Sequence, residues 1–257
     1  MSKFFSVDNK FFTTVNKIVD MLWLSFLWSV CCLPLIFLVF TLFLQVMENN
    51  GLQGFLILLI CLPIGCITVG PSSAALYYAI VKTIRRERGY ATKNYFHAFK
   101  VNFKIGAISS LIYGFATTII IVDILLTPYF MDGGEEITSI AKGVFLGMGI
   151  FLLFALVWVN PLLSRFELTL KELIKNSLIL AVKNIFRTII MAAFWIGLGM
   201  AFYYFYEYIF YYMVLIPLIL PAVSALIRSF VIEPVFKKIT GDPNEDSEKE
   251  VDAWYAE

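Results

Sequence analysis

Residues able to carry chemistry are scarce in this sequence. It holds one histidine, His97, in 257 residues. General acid–base work would fall to carboxylates, and these lie mostly in loops and in the C-terminal tail. There is no Gly-Lys-Ser/Thr phosphate loop, no His-Glu-x-x-His pair and no Gly-x-Ser-x-Gly elbow. A nucleotide-driven motor, a zincin and an α/β-hydrolase are therefore excluded, and neither an enzyme nor a cofactor is expected. Cys31, Cys32, Cys61 and Cys66 all lie inside apolar runs and read as small buried hydrophobes. With no histidine or carboxylate beside them, they do not form a metal site. Charge is scarce too, at 15% of residues and a net +1, so no surplus of basic residues calls for nucleic acid.

What the chain has instead is apolar bulk. Hydrophobic residues make up 60% of it, with 25 Phe, more than one water-soluble core can bury, so lipid is the expected solvent. Lys3, Lys10 and Lys17 ahead of an apolar run imitate a signal peptide. The run Met21–Val46 is too long for that and no small-x-small site follows, so it reads as a membrane helix. Six spans are predicted, near 21–46, 53–81, 105–127, 143–163, 188–205 and 209–235, each close to the roughly 20 residues a bilayer core requires. All but Lys142 of the 20 Lys and Arg residues then fall on one side. The positive-inside rule makes that side cytoplasmic and puts both termini there. The expected fold is all-α: a polytopic bundle over residues 1–240, N-in and C-in, with an acidic and flexible cytoplasmic tail over 241–257.

Two cytoplasmic connections read as amphipathic helices lying in the interface. In one, Tyr95, Phe96, Phe99 and Phe103 face lipid while Lys93, Lys100 and Lys104 reach headgroups. In the other, Thr169-Leu170-Lys171-Glu172 has capping-box spacing. There Phe166, Leu170, Leu173, Ile174, Ser177, Leu178 and Ala181 share one face. Arg165, Lys171 and Lys175 on this second connection are the candidate surface for docking a cytoplasmic partner; plain interfacial anchoring is the other reading. The tyrosines from Tyr203 to Tyr212 read as an aromatic belt, or, beside Glu207, as a surface for sugar rings.

The stretch Gly65–Tyr78 organises the rest. Gly70-Pro71 breaks an apolar helix and Ser72-Ser73-Ala74-Ala75 restarts it. The seam is either a packed kink or a ligand site built from a freed carbonyl and free N–H groups. Asn160-Pro161 is a second break, with the asparagine expected to bond the loosened backbone. Charges inside a membrane demand an account. Asp20 and Asp123 read as anchors near the two surfaces rather than proton relays. Arg228 either snorkels, pairs with Asp20 or meets carbonyls near Pro71. No long repeat is present; Cys32-Leu33-Pro34-Leu35 against Cys61-Leu62-Pro63-Ile64 is a short echo only.

The run Ile67–Tyr78, followed by Tyr95–Lys104, resembles the opening of the YesL-like bacterial membrane proteins, a family of unknown function. Asn160–Leu168, then Lys175-Asn176-Ser177-Leu178 and Lys183-Asn184, is similar to that family's second signature. The resemblance implies a Gram-positive-type cytoplasmic membrane and gene neighbourhoods rich in carbohydrate uptake and polysaccharide degradation, with no catalytic residues. The expected function is therefore an accessory or partner subunit for uptake of a sugar or oligosaccharide. Its partners would be the lipid bilayer, transporter subunits and a sugar ligand. The alternative is a non-transporting scaffold that recruits a cytoplasmic protein.

Overall fold

The computed structural model describes residues 10–35, 37, 63–85, 90–130, 134–205 and 215–239. Among them the regular structure is helical: α1 (Lys10–Cys31), a 3₁₀ turn (Cys66–Thr68), α2 (Val69–Ala79) running into a widened π turn (Ile80–Arg85), α3 (Ala91–Phe130), α4 (Gly134–Arg165), α5 (Leu170–Lys183), α6 (Ile185–Tyr204) and α7 (Leu215–Ile239).

Five segments are long and apolar enough to cross a membrane: Pro63–Arg85, Ala91–Ile124, Ile137–Arg165, Ile185–Phe202 and Leu215–Ile239. They correspond to five of the six expected spans, and the chain is a membrane protein on that ground. The expected first span, 21–46, has α1 as its beginning, and most of its remainder lies outside the described residues. So do the acidic tail, most of the tyrosine-rich turn, and Cys61 and Leu62 of the Cys-Leu-Pro echo.

Helix α3 departs most from expectation. The connection predicted to lie in the interface is instead its first turns, continuous with the third span over 40 residues. At 1.5 Å per residue that is about 60 Å, twice a hydrocarbon core of about 30 Å. The end carrying exposed Lys93, Lys100 and Lys104 therefore has length to stand clear of the bilayer. Tyr95, expected to face lipid, is fully buried and stacks on Phe99, while Phe96 and Phe103 remain exposed.

Helices α2 and α7 form the middle. One apolar cluster joins α4 (Val157, Trp158, Leu163) to α5 (Leu173, Ala181) and the end of α7 (Ile232, Phe236). The other joins α1 (Leu24, Leu27) and α2 (Leu76, Ala79) to the start of α3 and to Ala222 and Ala225 of α7. Around them Phe115, Ile119, Val144, Phe151 and Ile190 are more than half exposed, as a lipid-facing surface requires.

Helix α5 forms as the sequence dictates. Thr169 has extended backbone and accepts from the Glu172 N–H, while Glu172 accepts from the Thr169 N–H at 2.9 Å, a complete capping box. Its Leu173, Ser177, Leu180 and Ala181, at helical spacing, are buried within the bundle, and Tyr113 and Ser177 share a hydrogen bond at 3.3 Å. Much of the face predicted to rest on lipid therefore packs on protein, because α3 and α4 offer it apolar side chains.

Candidate functional site

A proline inside a helix leaves the carbonyl four residues earlier without its donor. In a bilayer that oxygen needs another. At Pro71 it is the Ile67 carbonyl. Ser110 Oγ of α3 lies 3.2 Å from it and shares its proton with the Gly106 carbonyl at 2.8 Å. At Pro221 of α7 it is the Pro217 carbonyl, to which Ser29 of α1 donates at 2.8 Å. The Ala222 N–H, one residue on, donates to Ser25 at 3.0 Å. At Pro161 the carbonyl so freed is that of Val157; α4 continues through the proline, and Ser164 donates to the Pro161 carbonyl itself, 2.8 Å away.

The seam itself is less a break than a change of winding. Pro63–Arg85 is one continuous helical segment, passing from 3₁₀ to α geometry at Thr68. Pro71 occupies the first turn of α2, where a missing N–H is tolerated. Its α3 side is closed. A Cβ on Gly70 would collide with the Gly106 carbonyl oxygen, and one on Gly106 would lie 2.9 Å from Pro71 N. Gly114 sits as close to Cys66, so Gly106, Ser110 and Gly114 form a small-residue stripe along which the two backbones touch. Ser72 is fully buried, donates to the Thr68 carbonyl and lies 3.4 Å from Cys32 Sγ.

The other side of α2 opens on a cleft of about 240 Å³ between α1, α2, α6 and α7. Trp28, Ser73, Leu76, Trp195, Ser224 and Arg228 line it. Trp28 Nε1 donates to Ser73 Oγ at 3.1 Å, tying α1 to the seam. Arg228 is buried and its guanidinium lies 5.3 Å from the centre of the Trp195 ring. It meets neither Asp20 nor the carbonyls beside Pro71, the two partners offered by the sequence. Asp20 and Asp123 are each half-buried on α1 and α3, away from the cleft.

Beside the cleft lies a group of charges that sequence reasoning missed. Glu233 of α7 is 2% exposed and accepts from Arg165 Nη1 at 2.8 Å and from the Tyr77 hydroxyl at 3.2 Å. Arg165, expected on a docking surface, is thus buried and paired; Lys171 and Lys175 of that surface are exposed on α5. Arg85 donates to the Ser229 carbonyl at 2.8 Å and stacks over Phe230, and Arg187 donates to the Val231 carbonyl at 2.7 Å. Three arginines from two connections therefore grip one stretch of α7, the turns that lead into Pro234.

The signals were present in the sequence. Gly106-x-x-x-Ser110-x-x-x-Gly114 is a spaced small-residue pattern, and Glu233 is a carboxylate inside an apolar run, which needs a cation at its own depth.

Residues 18–124 match the model of a family described as a protein of unknown function, DUF624. That stretch, under half of the chain, takes in the seam and the α3 stripe but not Arg165, Trp195, Arg228 or Glu233. No curated protein and no solved structure matches the chain.

Proposed function

We propose that the chain is an accessory or partner subunit for uptake of a sugar or oligosaccharide, holding its solute in the cleft between α1, α2, α6 and α7. The observation that carries this reading is the lining of the cleft. Two indoles, from Trp28 and Trp195, offer flat apolar surface to a ring, and the Ser73 and Ser224 hydroxyls stand beside them. The YesL-like identity, a bacterial cytoplasmic membrane, six spans and both termini inside belong to the same proposal. The chain takes no catalytic step and binds no nucleic acid in it, and energy comes from a partner or a gradient. Deleting the gene and measuring growth on individual oligosaccharides tests it: slowed growth on one is expected, and unimpaired uptake of all would overturn it.

A second reading, a scaffold that recruits a cytoplasmic protein, is favoured by the exposed Lys171 and Lys175 on the capped helix α5. Pull-down with both lysines changed to glutamate separates the two, since a scaffold loses its partner and a self-sufficient carrier does not.

A further inference from the structure

Among the described residues the buried charges do not balance. Where α2, α4 and α7 meet, two guanidinium groups stand against one carboxylate, which accepts from Arg165 on one oxygen and from Tyr77 on the other. Arg228 is left over. It is 8% exposed, its Nε is sealed from solvent without a hydrogen-bond partner, and no acceptor meets its guanidinium among the described residues. The Trp195 face at 5.3 Å eases the burial of a cation but takes up none of five N–H donors in a useful way. A buried charge without a partner is costly, and a protein retains one where something else supplies the partner.

Arg228 lines the cleft, and so does a second donor. Ser73 Oγ accepts from Trp28 Nε1, which leaves its own proton available, whereas the Ser224 proton goes to the Pro221 carbonyl at 2.8 Å. We infer that the cleft binds an oxyanion, a carboxylate or phosphate group, with Arg228 as its counter-ion and the Ser73 hydroxyl as second donor. This rests on reading the cleft as a ligand site, as proposed above. A planar guanidinium matches both oxyanions with paired N–H bonds. The remaining walls, Trp28, Leu76 and Trp195, are apolar and fit a ring rather than a second charge.

The oxyanion has two possible sources, a dissolved solute or the headgroup of an acidic lipid entering from the bilayer, and one experiment separates them. The purified protein is placed in nanodiscs of phosphatidylcholine and titrated with glucuronate, glucose or inorganic phosphate, reading tryptophan fluorescence and thermal stability. Glucuronate is expected to bind at least about tenfold tighter than glucose, with Arg228→Gln abolishing the difference. Ser73→Ala is expected to weaken glucuronate several-fold while the protein stays folded. If phosphatidylglycerol in the disc raises the melting temperature of the wild type but not of Arg228→Gln, and glucuronate then no longer binds, the oxyanion is a lipid headgroup. Should Arg228→Gln fail to fold, Arg228→Lys, which keeps the charge and loses the planar fork, must still weaken glucuronate. Equal binding of glucuronate and glucose, unchanged in the variants, overturns the oxyanion and leaves the sugar cleft standing. No response to any solute or to phosphatidylglycerol overturns both.

Discussion

Glu233→Gln removes one charge from the interior of the bundle and almost nothing else. Glutamine keeps the size of glutamate and retains one acceptor oxygen, which Arg165 at 2.8 Å and Tyr77 at 3.2 Å must then share. What disappears is the attraction to a guanidinium that stays buried. Two unit charges at contact distance attract by about 4 kcal/mol at an effective dielectric near 20. Removing one partner of a buried pair typically costs about 3–5 kcal/mol, since the other is left uncompensated. We expect the variant to lose about 3 kcal/mol in reversible unfolding from mixed micelles, followed by helix ellipticity and tryptophan fluorescence. The double variant Arg165→Met, Glu233→Leu should be more stable than either of its single changes, because neither member of the pair is then left without the other. A loss under about 1 kcal/mol for Glu233→Gln, or a double variant whose cost is the sum of the two single ones, would refute the claim that this pair is held away from water.

Four further outcomes are expected. Gly106→Ala, whose new methyl would meet Pro71 and Leu163 within 2.9–3.1 Å, should cost about 1–3 kcal/mol in the same unfolding assay. Gly143→Ala and Gly197→Ala, with nothing within 4 Å, should instead stabilise by up to about 1 kcal/mol. Glu172 is held below its ordinary value of 4.5 by the Thr169 backbone N–H and then by its hydroxyl. Its support for α5 is therefore complete above the ordinary carboxylate range and fades as pH falls through the lowered value; amide exchange along α5 should speed up only there, and an equal change at neutral pH would contradict it. Thr169→Ala should loosen the same helix by about 1 kcal/mol at neutral pH, read from the same amides.

Five of the expected spans were legible because a lipid-facing helix must be apolar on nearly every side, and a window of hydropathy sees that directly. Contacts between spans were not, for two physical reasons. Lys93, Lys100 and Lys104 read as a connection, yet a helix long enough to leave the bilayer carries charges without ending, and α3 runs through all three. Counting Arg165 as a cytoplasmic loop charge was silent about pairing, which depends on Glu233 lying 68 positions away. The seam was found from Gly70-Pro71 alone. That its two sides differ, one closed by Gly106 and Ser110 and the other open at Ser73, follows from which helices pack there.

The same arginines answer two questions at once, and that decides how topology should be tested. Arg85, Arg165 and Arg187 belong to the cationic excess from which an orientation is expected, but each also holds α7, at Ser229, Glu233 and Val231. Neutralising them removes hydrogen bonds to backbone and carboxylate oxygens near the Pro234 turn, so the protein should lose stability before any span changes direction. Lys171 and Lys175 belong to the same expected excess and are exposed on α5. Single cysteines at Lys171 and at Lys142 are the sound probes: with positive charges inside, an impermeant maleimide should label Lys142→Cys in intact cells and reach Lys171→Cys only after lysis. Labelling of both before lysis would break the link between the charge pattern and the fold.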